Sequence, residues 1–447
     1  MLGRLITGLG ERSTYDAVAQ CSRCGYCEQA CPTYLATGRE GFNPRGRNQA
    51  VRMLIEHKIG QAQTAEQLLS TCLLCGACST ACYAHVRTPD LVLEGRRLLR
   101  EGQAPPLARL LGWLLLEHPR AFESLLKVAY FFKRLGLARL ACRLGLPSLV
   151  GLPGLAVAEE QVSEAPRSLL APELRARPEL RSPAQASFLY FAPCGPNFVL
   201  PRVGRATVRV LSSRGKTAFA DIGCCGLLAY NYGDVGQARE FARRVIERAE
   251  AAFAKADKAA VLVGDCSSCV AHMKGYPQLF LEDPGWKPRA EAFAARVKDI
   301  IELLPSPPKA GTSAVLPLPP TAGEGRGEGS YTYHDSCRAK HGQGISKEPR
   351  AALAGRDLRE MAESDSCCGG AGAFAFVHPD LSDAVLRRKV SNIASTQARV
   401  VAASATSCLL HLAHGLSKYY PECRVVHLSE LAAESLPESL ANGENGC

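Results

Sequence analysis

Eight cysteines near the start of the chain are spaced for one kind of chemistry. Cys21, Cys24, Cys27 and Cys31 read C-S-R-C-G-Y-C-E-Q-A-C-P through Pro32, and Cys72, Cys75, Cys78 and Cys82 read C-L-L-C-G-A-C-S-T-A-C-Y through Tyr83. Both runs are C-x2-C-x2-C-x3-C, and each cysteine of the first recurs 51 positions later (72−21, 82−31). Three thiolates at two-residue steps let one loop wrap three corners of an iron–sulfur cube, while the fourth points to a neighbouring cluster. The pattern assigns one [4Fe–4S] cluster to Cys21, Cys24, Cys27 and Cys82, and another to Cys72, Cys75, Cys78 and Cys31. Structural zinc prefers cysteine pairs with a longer spacer and closes at four ligands, which these two identical quartets fit poorly. The second run ends in Tyr83 where the first has Pro32, a difference that affects only the stiffness of the loop exit.

A second cysteine set lies further on, among alternating strand and helix patterns. A strand at Ser187–Ala192 leads to Cys194, one at Lys216–Ile222 to Cys224-Cys225-Gly226, and one at Ala259–Val263 to Cys266 and Cys269. Helices are expected between them at Val199–Ser212 and Val235–Ala254. Cysteines at the carboxyl ends of successive strands gather at one edge of a parallel sheet, where open α/β folds place their sites. The pattern then repeats: Tyr331–His334 leads to Cys337, Glu360–Ser364 to Cys367-Cys368-Gly369, and Val400–Ala403 to Cys408. Offsets of 143 (337−194, 367−224, 368−225) and 142 (408−266) indicate a duplicated domain.

Five cysteines in the first copy exceed what a cube or a tetrahedral zinc needs; adjacent ones can each bind a different iron of an extended cluster. In this alignment the second copy has four, and His411 where the fifth belongs. His411 is either a replacement ligand, since imidazole binds iron or zinc, or a helix histidine in an ordinary hydrogen bond. Cys142, Cys423 and Cys447 belong to neither pattern and read as idle thiols.

The surrounding sequence must position these groups. Residues 1–20 read as a helical lead-in, and a helix at Arg45–His57 separates the quartets, with Pro44 suited to its start. Arg45 and Arg47 either bond cluster sulfurs or dock a partner, against a plain solvated helix start. Residues 91–150 carry ten Lys/Arg against four Asp/Glu and a leucine stripe. They read as helices packed on the protein itself or as a basic amphipathic surface for a membrane or partner. Basic residues do not interleave with aromatic ones as a nucleic-acid platform requires, so no nucleic-acid partner is expected. Gly370, Gly372 and Ala375 fit a loose dinucleotide pattern, but no acidic residue follows about twenty positions on. No flavin or nicotinamide fingerprint is present.

The start lacks a signal-peptide core, and no apolar window reaches a membrane-spanning length. Cluster ligands must stay reduced until loaded. The expectation is therefore a cytoplasmic chain, peripheral at the inner face of the membrane if it docks there.

Together the two quartets, Cys31-Pro-Thr-Tyr34, Pro44-Arg45-Gly46-Arg47 and the two CCG repeats resemble the iron–sulfur subunit of glycolate oxidase and related D-lactate dehydrogenase subunits. The CCG repeats are also similar to heterodisulfide reductase subunits, whose complete sites hold non-cubane clusters. The resemblance implies an α+β multidomain fold: a helical ferredoxin domain (1–90), a basic helical segment (91–157), a linker (158–186), a first CCG domain (187–304), a linker (305–330), a second CCG domain (331–437) and a tail (438–447). It implies two [4Fe–4S] clusters, a further non-cubane cluster at Cys194, Cys224, Cys225, Cys266 and Cys269, and a second site at Cys337, Cys367, Cys368, Cys408 and His411 holding a cluster, zinc or nothing. The implied role is electron transfer from a separate FAD-bearing oxidase subunit, oxidising a 2-hydroxy acid, to a quinone or other acceptor. Disulfide reduction at CCG-bound clusters is the alternative.

Overall fold

A computed structural model describes residues 4–7, 10–58, 62–149, 154–162, 165–304 and 329–436. Most of the expected second linker (305–328), the tail and Cys447 lie outside the described residues.

The chain opens with strands where a helix was expected. Arg4–Thr7 (β1) and Gly10–Ser13 (β2) pair antiparallel, and only Thr14–Ala19 is helical, its N-cap Ser13 accepting from the Asp16 amide. The Ile6 amide donates to Gln278 Oε1 at 3.0 Å, so a residue 272 positions away helps hold the hairpin. Helices then dominate: Pro32–Thr37, Pro44–Ile55, Ala62–Ser70, Ala77–Thr80 and Thr88–Leu99. Asn43 caps the second of these, accepting from the Gly46 amide at 2.7 Å. Val51, Leu69, Leu91 and Val92 fill the core between them.

Two parallel sheets follow. Phe188–Tyr190 (β3), Thr217–Phe219 (β4), Val261–Gly264 (β5) and Val297–Asp299 (β6) lie in the order β4-β3-β5-β6. Tyr331–Tyr333 (β7), Val400–Ala403 (β8) and Arg424–His427 (β9) lie in the order β7-β8-β9. The strands are short and apolar because both faces are covered; every residue of β8 is buried. The strand expected at Glu360–Ser364 does not form, leaving one isolated bridge between Leu358 and Tyr331. Side chains hold that segment instead: Arg350 bonds both Asp335 and Glu360, and Ser364 donates to Asp335 at 2.8 Å.

The copies share a core. Tyr190 and Val263 of the first sheet pack in one cluster with Tyr333, Val400 and Val426 of the second. Residues 158–186, expected as a linker, carry helices Leu170–Ala176 and Pro178–Arg181 and bury Leu170, Leu174 and Leu180 in this cluster. Helix Pro201–Ser212 packs on Leu428–Glu434, where the Thr207 hydroxyl meets Ser429 Oγ at 2.9 Å.

Helices Pro106–Glu117, Pro119–Arg134 and Leu137–Arg143 form an outer layer. Pro119–Arg134 buries only Glu123 and Tyr130, and this layer leaves Trp113, Leu125, Val128, Phe131 and Leu140 exposed. Among the described residues no helix is long and apolar enough to cross a membrane.

Candidate metal centres

The ferredoxin quartets are duplicated in backbone as well as in sequence. Arg23 and Gly25 in the first loop have positive φ, and so do Leu74 and Gly76, their counterparts 51 positions on. A left-handed arginine and leucine are costly, and here that turn lets the loop's amides face inward; the Leu74 amide donates to Cys72 Sγ at 3.5 Å. Cys31, Cys72, Cys75 and Cys78 line one small cavity together with Thr33, Arg47 and Thr88. Thus the last cysteine of the first run joins the first three of the second. On the other side, burial and the neighbouring thiols of Cys21, Cys82 and Cys24 push the Cys27 thiol up to about 11. Two four-thiol groups of this kind fit iron–sulfur cubes in donor chemistry and number.

Arg47 is almost wholly buried at 2% exposure. Its Nη1 lies 3.7 Å from Cys31 Sγ, and its remaining donors reach Leu68 O, Thr33 Oγ1 and Thr71 O at 3.0–3.1 Å. Arg45, by contrast, pairs with Glu28 and Glu40 at the surface. Arg96 is also structural, donating to the carbonyls of Leu69, Cys72 and Asn231, so the basic surface must rest on other residues.

In the first α/β copy the five cysteines form a continuous chain of thiol contacts. Cys194 Sγ lies 3.4 Å from Cys224 Sγ; Cys224 bonds Cys225, Cys225 bonds Cys269, and Cys269 bonds Cys266. A hydrogen bond from Cys269 helps hold the Cys266 thiol down at about 6, favouring the thiolate that binds metal. Gly226 turns with φ +78 so that its amide points back to Cys224 Sγ at 3.5 Å. Gly369 does the same for Cys367, also at 3.5 Å. A Cβ on Gly226 would fall 2.6 Å from Phe241 Cβ, and one on Gly369 would fall 2.8 Å from Ser382 O. That double demand explains the glycine of each CCG.

The second copy changes the expected register. Strand β8 matches β5 at an offset of 139 (400−261), because the connection from the preceding helix shortens from residues 254–260 to residues 396–399. Cys408 is therefore the counterpart of Cys269 (408−269), not of Cys266. Each lies just inside a helix whose N-cap is Cys266 in one copy and Ala405 in the other. The thiol contacts agree: Cys337 bonds Cys367, Cys367 bonds Cys368, and Cys368 bonds Cys408.

His411 then corresponds to His272 and does not fill a cysteine position. One ring nitrogen of His411 meets Gln161 Nε2 at 3.0 Å and the other meets Ser382 Oγ at 3.1 Å. Of the two readings of His411, these contacts favour the helix histidine in ordinary hydrogen bonds over the ligand.

Several residues at the sites escaped the sequence analysis. Tyr276, fully buried, donates to the Cys225 carbonyl at 2.8 Å. Lys389 is buried at 2% exposure, and burial pushes it down to about 8 beside Cys368 and Cys367. His334, which stands three residues before Cys337, has its ligand atom within 4.8 Å of those of Cys368 and Cys408. A histidine at that short spacing from a cysteine was the one available signal.

The ferredoxin module docks on the second copy. Burial and the thiols of Cys337, Cys78 and Cys31 push the Cys75 thiol well up, and Cys75 and Cys337 pack against the same apolar cluster of Leu73, Cys367, Phe374 and Val385.

These features define an iron–sulfur protein with a dicluster ferredoxin domain and a duplicated cysteine-rich domain. Residues 17–86 match the family model of a 4Fe-4S dicluster domain, and residues 188–274 and 331–413 match the cysteine-rich CCG domain. The chain is 27% identical over 442 residues to a probable glycolate oxidase iron–sulfur subunit of Bacillus subtilis, covering 95% of each. It is 27% identical to the glycolate oxidase iron–sulfur subunit of Escherichia coli, covering 88% of this chain and 89% of that one. Lactate utilization protein A of an Exiguobacterium species is 32% identical over 254 residues, 56% of this chain and 98% of the relative. The chain belongs to this family of iron–sulfur electron-transfer subunits.

Proposed function

We propose that this chain is the electron-transfer subunit of a complex that oxidises a 2-hydroxy acid, of the glycolate or D-lactate type, at a flavin held by a separate partner. Oxidation of the alcohol to the 2-keto acid releases two electrons and two protons, and a flavin accepts them as a pair. Iron–sulfur centres supply the one-electron steps that follow. Cys21, Cys24, Cys27 and Cys82 hold the first [4Fe–4S] cluster; Cys72, Cys75, Cys78 and Cys31 hold the second. Cys194, Cys224, Cys225, Cys266 and Cys269 hold a non-cubane centre, and Cys337, Cys367, Cys368 and Cys408 belong to a further metal centre.

The observation that carries this reading is the row of cysteines crossing the domain boundary. Cys78 stands among Cys72, Cys31 and Cys27, and Cys75 stands beside Cys337. Centres at these cysteines are contiguous from the ferredoxin module into the second CCG site. Arg47 places a positive charge beside Cys31, which stabilises the more negative, reduced form of a centre there. The exposed apolar and basic helices of residues 106–143 support docking at a membrane surface, where a quinone acceptor resides. Reduction of a disulfide at two complete CCG sites is the weaker reading, because Ala405 stands where the second site would need its fifth cysteine.

The test is reduction of the chain by substrate. Glycolate or D-lactate should bleach the iron–sulfur absorbance only when the flavin-bearing partner is present, and added quinone should restore it. Bleaching by substrate without a flavoprotein, or turnover with a disulfide as the preferred acceptor, would refute the proposal.

A further inference from the structure

We infer that the imidazole of His334 is the fifth donor of the second CCG centre, standing in for the thiolate that Cys266 supplies in the first. The inference deepens the proposal above and rests on its reading of the CCG sites as iron-bearing centres.

Three independent observations support it. The first is the vacancy in the donor pattern. The first copy has the thiol chain Cys194–Cys224–Cys225–Cys269–Cys266, and the second has Cys337–Cys367–Cys368–Cys408 and then Ala405 in place of Cys266. The second is position. The ligand atoms of His334, Cys368 and Cys408 all lie within 4.8 Å of one another, close enough for three donors to converge on one metal with bonds of about 2.0–2.3 Å. His334 reaches the site from the end of β7, where the first copy has Phe191 (334−191 is again 143). An apolar ring in one copy is exchanged for a ligating ring in the copy that lacks a cysteine.

The third observation is the state of the imidazole itself. His334 has 0% exposure, and among the described residues neither ring nitrogen has a hydrogen-bond partner of normal geometry. A buried polar group left in that state is destabilising, and metal coordination by one nitrogen would remove the deficit. The carbonyl of Ser364 lies beside the ring, where it can orient the other N–H, as second-shell carbonyls do for metal-bound histidines. His411 offers no such nitrogen, since both of its ring nitrogens are already bonded.

The experiment uses the full chain, reconstituted anaerobically with iron and sulfide and labelled with 15N-histidine. Pulsed electron paramagnetic resonance should detect a histidine nitrogen coupled to the reduced second CCG centre. That coupling should vanish in His334→Phe, which also loses the iron of that site but keeps the signals of the ferredoxin module and the first CCG site. It should persist in His411→Ala. The double variant His334→Phe/Ala405→Cys should recover the iron without the nitrogen coupling, because it recreates the five-thiol set of the first copy. Wild-type protein with a loaded second site and no nitrogen coupling would overturn the inference without needing any variant to fold. So would full iron content and an unchanged spectrum in His334→Phe. A wild-type second site that takes up no iron while the first is loaded would instead overturn the reading of that site as an iron-bearing centre.

Discussion

The hydroxyl of Thr80 lies 3.0 Å from Nδ1 of His341, joining the loop of the second ferredoxin quartet to the helix that begins at Cys337. The other ring nitrogen of His341 faces the Asp365 carbonyl at 3.2 Å, so one imidazole ties the ferredoxin module to the segment preceding Cys367. Gly76 fits beneath it, with room for a Cβ only 3.1 Å from His341 Cβ. Replacing His341 by Ala removes about 1–2 kcal/mol of docking. The iron content should stay at the wild-type value, while electron passage from the ferredoxin clusters to the second CCG site should slow. Freeze-quench spectroscopy after rapid reduction checks this, and an unchanged rate would show that the contact is not part of the docking that matters.

The ferredoxin quartets should lose their clusters crosswise. Cys31 lines the cavity of Cys72, Cys75 and Cys78, and Cys82 is a neighbour of Cys27. Cys82→Ser should damage the centre built on Cys21, Cys24 and Cys27, and Cys31→Ser the centre built on Cys72, Cys75 and Cys78. Mössbauer or electron paramagnetic resonance spectra of the two variants separate the outcomes; damage confined to each residue's own run would contradict the exchange.

Each CCG glycine should be required for its own metal site. An alanine at Gly226 or Gly369 has a left-handed backbone, costing about 1–2 kcal/mol, and a Cβ pressed against Phe241 or Ser382. Gly226→Ala should deplete the first CCG site and Gly369→Ala the second, each sparing the other. Site-resolved iron analysis with a thermal melt distinguishes metal loss from global unfolding.

Association with anionic vesicles should depend on exposed positive charge in the outer helices. Lys127, Arg139 and Arg143 are exposed there, whereas Arg96 is committed to backbone carbonyls inside the protein. At about 1 kcal/mol per basic residue near an anionic surface, changing all three to Gln should weaken binding roughly a hundredfold at low salt. The wild-type affinity should fall as salt rises. Vesicle sedimentation that gives equal binding for both proteins at low and high salt would leave no electrostatic contribution.

The cysteine spacings alone determined the class of protein, because cluster loops are local: three ligands two residues apart are brought together by one turn of backbone. The α/β alternation and the duplication were equally legible, since apolar runs ending in cysteines repeat at a nearly constant offset. Where that constancy lapsed, the sequence misled. The shortened connection before Val400 shifted the register, so Cys408 seemed to match Cys266 and His411 to match Cys269. Only the strand pairing of β8 and the thiol contacts of Cys368 place Cys408 opposite Cys269.

Tertiary structure also decided the roles of groups whose partners are distant in sequence. The opening hairpin is bonded to Gln278, the supposed linker at residues 158–186 contributes Leu170 and Leu174 to the shared core, and Cys75 rests against the second CCG site. His334 became visible as a candidate ligand only when Cys368, from a segment that forms no strand, and Cys408, from the helix after β8, were brought to it. Ligand spacing within a loop is set by chain geometry and can be read from the sequence. A site assembled from distant segments of the chain depends on how the sheet pairs and what the core buries.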